Sequence, residues 1–235
     1  MIEVSDLVKK YSGNEVLNLP QLNIPEGQSF GLVGNNGAGK TTFFSLLLDL
    51  VEPSQGQILN GGEAVQKNDR WKKHTAAYID QDFLIGYLTP EEYFELIAQL
   101  REVNIETLHG WLQGFESFFK GEILGRKRYI RDLSKGNQKK VGIIACLIGN
   151  PQVVILDEPF ANLDPSSQIQ LKELLKNLYQ QSQTTLLISS HDLNHITEVC
   201  ERIVLLDRGV VQEDLMTTPE TLQNLEKYFK AISEN

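Results

Sequence analysis

Apolar and polar residues alternate along the first thirty positions, in IEVSDLVKKY and again in EVLNLPQLNIPEG, with turn residues between. A period of two marks half-buried strands, so the chain is predicted to open on an antiparallel β element. PSQGQILNGGEAV (53–65) reads as a further hairpin. Elsewhere the pattern changes to short, largely apolar runs: QSFGLVG (28–34), AAYID (76–80), VVILDEP (153–159), TTLLISS (184–190) and RIVLLDRG (202–209). Runs of this kind suit strands buried on both faces. Helical patterns follow several of them, in TTFFSLLLDL (41–50), over residues 166–181 and from Asp192. Apolar strands alternating with helices imply an α/β fold with a mostly parallel sheet covered on both sides.

From about residue 83 to 150 the pattern is helical throughout. Thr89-Pro90-Glu91-Glu92 is a capping box with Pro at the first helical position, opening EEYFELIAQL. ETLHGWLQGFESFF sets Leu108, Trp111, Leu112, Phe115, Phe118 and Phe119 at helical spacing, which predicts core packing. A third helix is predicted from Ser134 to a stop at Asn150-Pro151. The expected organisation is a single domain. Residues 1–82 and 151–215 form its core, 83–150 are an inserted α-helical subdomain, and 216–235 form a short C-terminal helix after a Pro turn.

With 41% hydrophobic and 23% charged residues, the 235-residue chain has the balance of a globular domain. The longest apolar run, VGIIACLIG (141–149), is too short to span a bilayer. MIEVSDLVKK carries acidic residues and no apolar signal core, which argues against secretion. Cys146 and Cys200 lie in apolar stretches without metal-ligand spacing and read as buried thiols of a reducing compartment. The net charge of −9 argues against nucleic acid as a partner. Yet Lys120–Lys140 holds eight basic and two acidic residues. That segment is either a solvated face or a surface turned towards phosphates, of nucleotide or lipid headgroups.

The chemistry concentrates in GNNGAGKT, which fits G-x-x-x-x-G-K-[ST], the phosphate-binding loop or Walker A motif. Gly34, Asn35, Asn36, Gly37, Ala38 and Gly39 supply a tightly turned backbone whose N–H groups can face phosphate oxygens. Lys40 adds a point charge for the β- and γ-phosphates. The Thr41 hydroxyl is placed to ligate Mg²⁺, and with Thr42 it opens a helix whose dipole favours the anion. The expected fold is therefore a P-loop NTPase, and the expected ligands are ATP and Mg²⁺. VVILDE (153–158) delivers Asp157 and Glu158 at a strand end, where α/β sheets bind ligands. Asp157 suits the Mg²⁺ shell and Glu158 suits a base that polarises the water attacking the γ-phosphate.

Taken together, these motifs resemble the nucleotide-binding subunit of an ATP-binding-cassette (ABC) transporter, over nearly the whole chain. LSKGNQKK (133–140) resembles the family signature LSGGQ, with Lys135 and Asn137 departing from it. The resemblance implies that Ser134, Lys135, Gly136 and Asn137 face ATP held by a second subunit. It further implies roles for Gln81 as the loop glutamine sensing Mg²⁺ and water, and for His191 as the switch histidine at the γ-phosphate. Asn162-Leu163-Asp164 resembles the loop crossing the dimer interface, and Tyr11 stands where an aromatic stacks on adenine.

The function so implied is an ATPase motor working as a homo- or heterodimer on separate transmembrane permease subunits. Its place would be the cytoplasmic face of a bacterial cell membrane. Lys135 resembles exporter-type subunits, which favours export. The alternative is a soluble ABC-type clamp or regulator without a membrane partner.

Overall fold

The computed structural model of the chain describes residues 1–233. In chain order its elements begin with β1 (Ile2–Tyr11), β2 (Asn14–Ile24), β3 (Ser29–Val33), α1 (Lys40–Leu47), β4 (Gln55–Asn60), β5 (Glu63–Ala64) and β6 (Thr75–Tyr78). Four helices follow: α2 (Pro90–Leu100), α3 (Ile105–Gln113), α4 (Glu116–Phe119) and α5 (Lys135–Leu147). The remainder is β7 (Val153–Leu156), α6 (Pro165–Ser182), β8 (Thr185–Ser190), α7 (Leu193–Val199), β9 (Arg202–Asp207), β10 (Val210–Met216) and α8 (Thr221–Ser233).

Two sheets result. The antiparallel one runs β2-β1-β4-β5, with Val4 opposite Leu22 and Leu7 opposite Leu19. The larger one runs β10-β9-β3-β8-β7-β6, parallel except for β10 at its edge. Its continuous apolar strands serve two cores by alternation, because successive side chains point to opposite faces. On β7, Val153 and Ile155 join the cluster under the antiparallel sheet and α1, with Leu7, Phe43 and Phe44. Val154 and Leu156 join the other cluster, with Phe94, Phe119, Ile144 and Leu171 from the helices.

The capping box at the start of α2 is present, Thr89 accepting from the Glu92 N–H while Glu92 accepts from the Thr89 N–H. Two expectations are corrected. The stretch ETLHGWLQGFESFF is two helices, because the chain breaks after Gln113 and only one further turn follows. Gly110 and Gly114 weaken helix propagation there, and the break lets Phe118 and Phe119 turn into the core. The signature helix stops at Leu147, before Asn150-Pro151, where Gly149 and Asn150 take positive φ. The C-terminal helix expected after the Pro turn is present from Thr221, preceded by β10, which extends to Met216; Glu234 and Asn235 lie outside the described residues.

Candidate functional site

Buried β3 ends at Val33, and the chain turns through residues 34–39 into α1. Gly34 is obligatory, since a Cβ there would lie 2.3 Å from the Leu206 carbonyl oxygen. Gly37 and Gly39 take φ of +82° and +106°, the left-handed conformations that turn successive N–H groups inward. Lys40 is buried, and its ammonium donates to the carbonyls of Gly34 at 2.7 Å and Asn35 at 3.2 Å. The same Nζ stands 3.6 Å from Glu158 Oε1.

β7 lies between β6 and β8, which brings their C-terminal ends to the loop. The Asp157 N–H donates to the Tyr78 carbonyl at 2.9 Å, tying the carboxylates to the strand that leads into Gln81. Gln81 opens a 3-10 turn capped by Asp80, whose Oδ1 accepts from the Asp82 N–H at 2.9 Å. Asp157 accepts from the Thr41 hydroxyl at 2.5 Å and from the Ser189 hydroxyl on its other oxygen. Burial pushes its pKa up, and the bonds from Ser189 and Thr41 oppose that shift.

Glu158 has a φ of +46°, unusual for a residue with a Cβ. Its N–H donates to Ser189 Oγ at 2.9 Å, its carbonyl accepts from Lys139 Nζ at 2.6 Å, and its Oε2 lies 2.9 Å from His191 Nδ1. Lys40, Thr41, Asp157, Glu158 and His191 thus converge at one end of the parallel sheet.

The signature residues lie in a separate pocket of about 440 Å³, whose lining includes Ser134, Gly136, Asn162 and Asp164 but none of residues 34–42. Ser134 caps α5 by accepting from the Asn137 N–H at 3.2 Å. At Gly136 a Cβ would lie 2.8 Å from the Asn162 carbonyl oxygen, so the glycine lets the loop of residues 162–164 approach. Asn137 donates to Glu122 at 2.9 Å, while Lys135 is exposed. Leu163 is buried; Asp164 caps α6 and receives bonds from Lys120, Ser166 and Ser167. The Lys120 bond, followed by those of the two serines, holds the Asp164 carboxyl well below the usual range.

Tyr11 is half-exposed at the end of β1, with the Lys9 ammonium 4.7 Å above its ring, so one face already carries a cation. The basic segment is largely a solvated face, with Lys120, Arg126, Lys127, Arg128, Arg131 and Lys135 exposed, but it is not a single surface. Lys139 and Lys140 are buried, Lys120 pairs with Asp164, and Arg131 stacks on Tyr87 and Tyr129. Sequence reasoning missed Ser189 and the buried role of Lys139. A serine pair closing an apolar strand, and a lysine pair inside an apolar helix, are the signals that pointed to them.

The sequence profile of the family described as ABC transporter matches residues 17–161. The chain belongs to the ABC transporter family. It is one of the family's ATP-binding ATPase cassettes. It is 32% identical to an uncharacterized ABC transporter ATP-binding protein of Nostoc sp., over 89% of this chain and 64% of that protein. A second such protein, from Bacillus subtilis, is 32% identical over 92% of this chain and 72% of its own length. The chain therefore spans about two thirds to three quarters of these relatives. Among solved structures, a dimeric ATP-binding cassette in a post-hydrolysis state bound to ADP and Pi has the same fold. The TM-score is 0.82, at 24% identity, over 93% of this chain and 99% of that one.

Proposed function

We propose that this cassette is the ATP-hydrolysing motor of a transporter, closing head-to-tail with a second cassette and acting on separate transmembrane permease subunits. The observation that carries the reading is the division of the site. Phosphate loop, carboxylates and His191 converge at one place, while Ser134 and Gly136 line a pocket apart from them. A second cassette would bring its own Ser134 and Gly136 to the γ-phosphate held here, where a helix N-terminus and free N–H groups suit an anion. The similar cassette that is dimeric and binds ADP and Pi supports the same arrangement.

In this mechanism residues 34–42 cradle the phosphates, Lys40 leaves its carbonyl partners for the β- and γ-phosphates, and Tyr11 offers its free face to adenine. Glu158 accepts a proton from the attacking water, and His191, bonded to its Oε2, orients it towards the γ-phosphate. Asn162, Leu163 and Asp164 carry the state of one site across the interface.

The residues fit Mg²⁺. Thr41 Oγ1 and Asp157 Oδ2 already lie within 2.5 Å, and with the Gln81 amide they offer only hard oxygen donors. Among the described residues no group of three or more acidic, His or Cys side chains could hold a metal ion. When bound, Mg²⁺ supplies neutralisation of the phosphate charge.

Among the described residues no helix is long and apolar enough to cross a membrane. The proposed membrane coupling is assigned to a groove of about 390 Å³ flanked by Asp80 and Phe83, on either side of Gln81. Its rim carries Phe83 and Leu100, which are 62% and 72% exposed, and apolar side chains of that size favour burial against a partner. Residues 83–150 are assigned as the subdomain that moves with that partner, at the cytoplasmic face of the cell membrane. Lys135, by its resemblance to exporter-type signatures, sets the proposed direction as export. The test is Glu158→Gln. The variant is expected to bind ATP, turn over slowly and accumulate as an ATP-dependent dimer by light scattering; a monomer with parental turnover would overturn the reading.

A further inference from the structure

The second turn of α5 holds two lysines, and both are withdrawn from solvent: Lys139 is 7% and Lys140 2% exposed. Burying an ammonium is costly unless it is well bonded. Lys140 finds the Phe118 carbonyl at 2.8 Å, inside the helical block. Lys139 points the other way and meets the carbonyl of Glu158 at 2.6 Å.

Glu158 is the one residue of the site's strand end with a left-handed backbone, at a φ of +46°. For a residue with a Cβ that conformation costs roughly 1–2 kcal/mol, so it persists only where surrounding bonds over-determine it. Its peptide groups are gripped from both directions. The N–H goes to Ser189 Oγ at 2.9 Å, and the carbonyl is held by the Lys139 ammonium. Ionised donors make bonds about twice as strong as neutral ones, and the low dielectric around Lys139 strengthens this one further. The left-handed turn is what aims the carboxylate so that Oε2 meets His191 at 2.9 Å and Oε1 faces Lys40 at 3.6 Å.

We infer that Lys139 is a positioning residue for the hydrolysis reaction: its ammonium fixes the Glu158 carbonyl and thereby the direction of the carboxylate that activates water. The inference rests on the reading of Glu158 as the activating base. Burial pushes the Lys139 pKa down, while the charges of Glu158, Asp80 and Asp157 push it back, so the ammonium is supported by the same carboxylates it helps arrange. Lys139 touches neither nucleotide nor water in this scheme. It acts through the backbone of another residue, and its signature is a loss of kcat without a loss of binding.

The experiment compares Lys139→Met, Lys139→Arg, Glu158→Gln and the double variant Lys139→Met/Glu158→Gln. Steady-state ATPase kinetics and ATP dissociation constants are measured for each. Lys139→Met is expected to lower kcat roughly 10- to 100-fold, the scale of an ångström-sized misplacement, with KM and Kd for ATP within about threefold of the parent. Lys139→Arg, which keeps a cationic donor, is expected to recover most of the rate. In the Glu158→Gln background, Lys139→Met is expected to change the residual rate less than about twofold, because the group it positions is already gone. If Lys139→Met does not fold, Lys139→Gln carries the same comparison with a neutral donor. Unchanged kcat in Lys139→Met, a parallel loss of ATP affinity, or a full additional loss in the Glu158→Gln background would each overturn the role of Lys139. Parental turnover by Glu158→Gln alone would instead overturn the assignment of Glu158.

Discussion

Ser189→Ala removes a single oxygen, yet two groups of the site depend on it. Ser189 is wholly buried at the end of β8, where its hydroxyl donates to Asp157 Oδ1 and accepts the Glu158 N–H at 2.9 Å. A buried group left without its partner costs ~1–3 kcal/mol, and here two are orphaned together, one of them a carboxylate. The expected destabilisation is about 2–5 kcal/mol, equivalent to roughly 5–15 °C in Tm for a chain of this size. Urea unfolding is the assay, with a lowered midpoint and an unchanged slope, since the surface exposed on unfolding stays the same. Ser190→Ala is the internal comparison. Its hydroxyl accepts one bond, from the Asp192 N–H at 2.9 Å, so a loss of about 1 kcal/mol is expected. If Ser189→Ala unfolds within about 0.5 kcal/mol of the parent, the bridge between the two carboxylate residues is not the constraint described.

Lys40→Ala deletes the buried cation facing the phosphates and Glu158; ATP affinity measured by calorimetry is expected to fall at least about 100-fold, the worth of two charge-assisted bonds, and near-parental affinity would refute the loop's role. Ser134→Arg is expected to suppress ATPase activity while monomer ATP binding stays intact, and joint loss of both would mean that the substitution damages the fold. Lys120→Met removes the principal cause of the lowered Asp164 pKa. A depressed carboxylate stabilises the fold above its unfolded value of 3.8 and progressively less as pH falls below it. The stability gap between parent and Lys120→Met in urea is therefore expected to narrow below about pH 4; a gap constant down to pH 2 would refute the assignment.

Much of this architecture is legible in the chain because its signals are local. The two-residue alternation of β1 and β2, the apolar runs of the parallel strands and the glycines of the phosphate loop each follow from backbone geometry over a few neighbours. What escapes the sequence depends on register between distant segments. Ser189 reaches Asp157 only because Leu156 pairs with Ile188. Lys139 reads as part of a basic run until α5 is laid against the end of β7. β10 is mostly exposed, and Gln-Glu-Asp interrupts its apolar residues along VVQEDLM, so it lacks the apolar run that betrays its neighbours. The interruption at Gly114 is decided by where Phe118 and Phe119 must go, which helical spacing alone does not contain.

The alternation along β7 acts as a reading frame for the site. Val153 and Ile155 face the α1 side, and the next odd position, Asp157, meets Thr41 there. Inserting or deleting one residue between Val153 and Leu156 would shift that phase, presenting the Asp157 carboxylate to the helices and an aliphatic side chain to Thr41, with both cores inverted at once. Length changes are therefore expected to be tolerated only in the connections, and β7 itself is a segment whose residues can be exchanged but not counted differently.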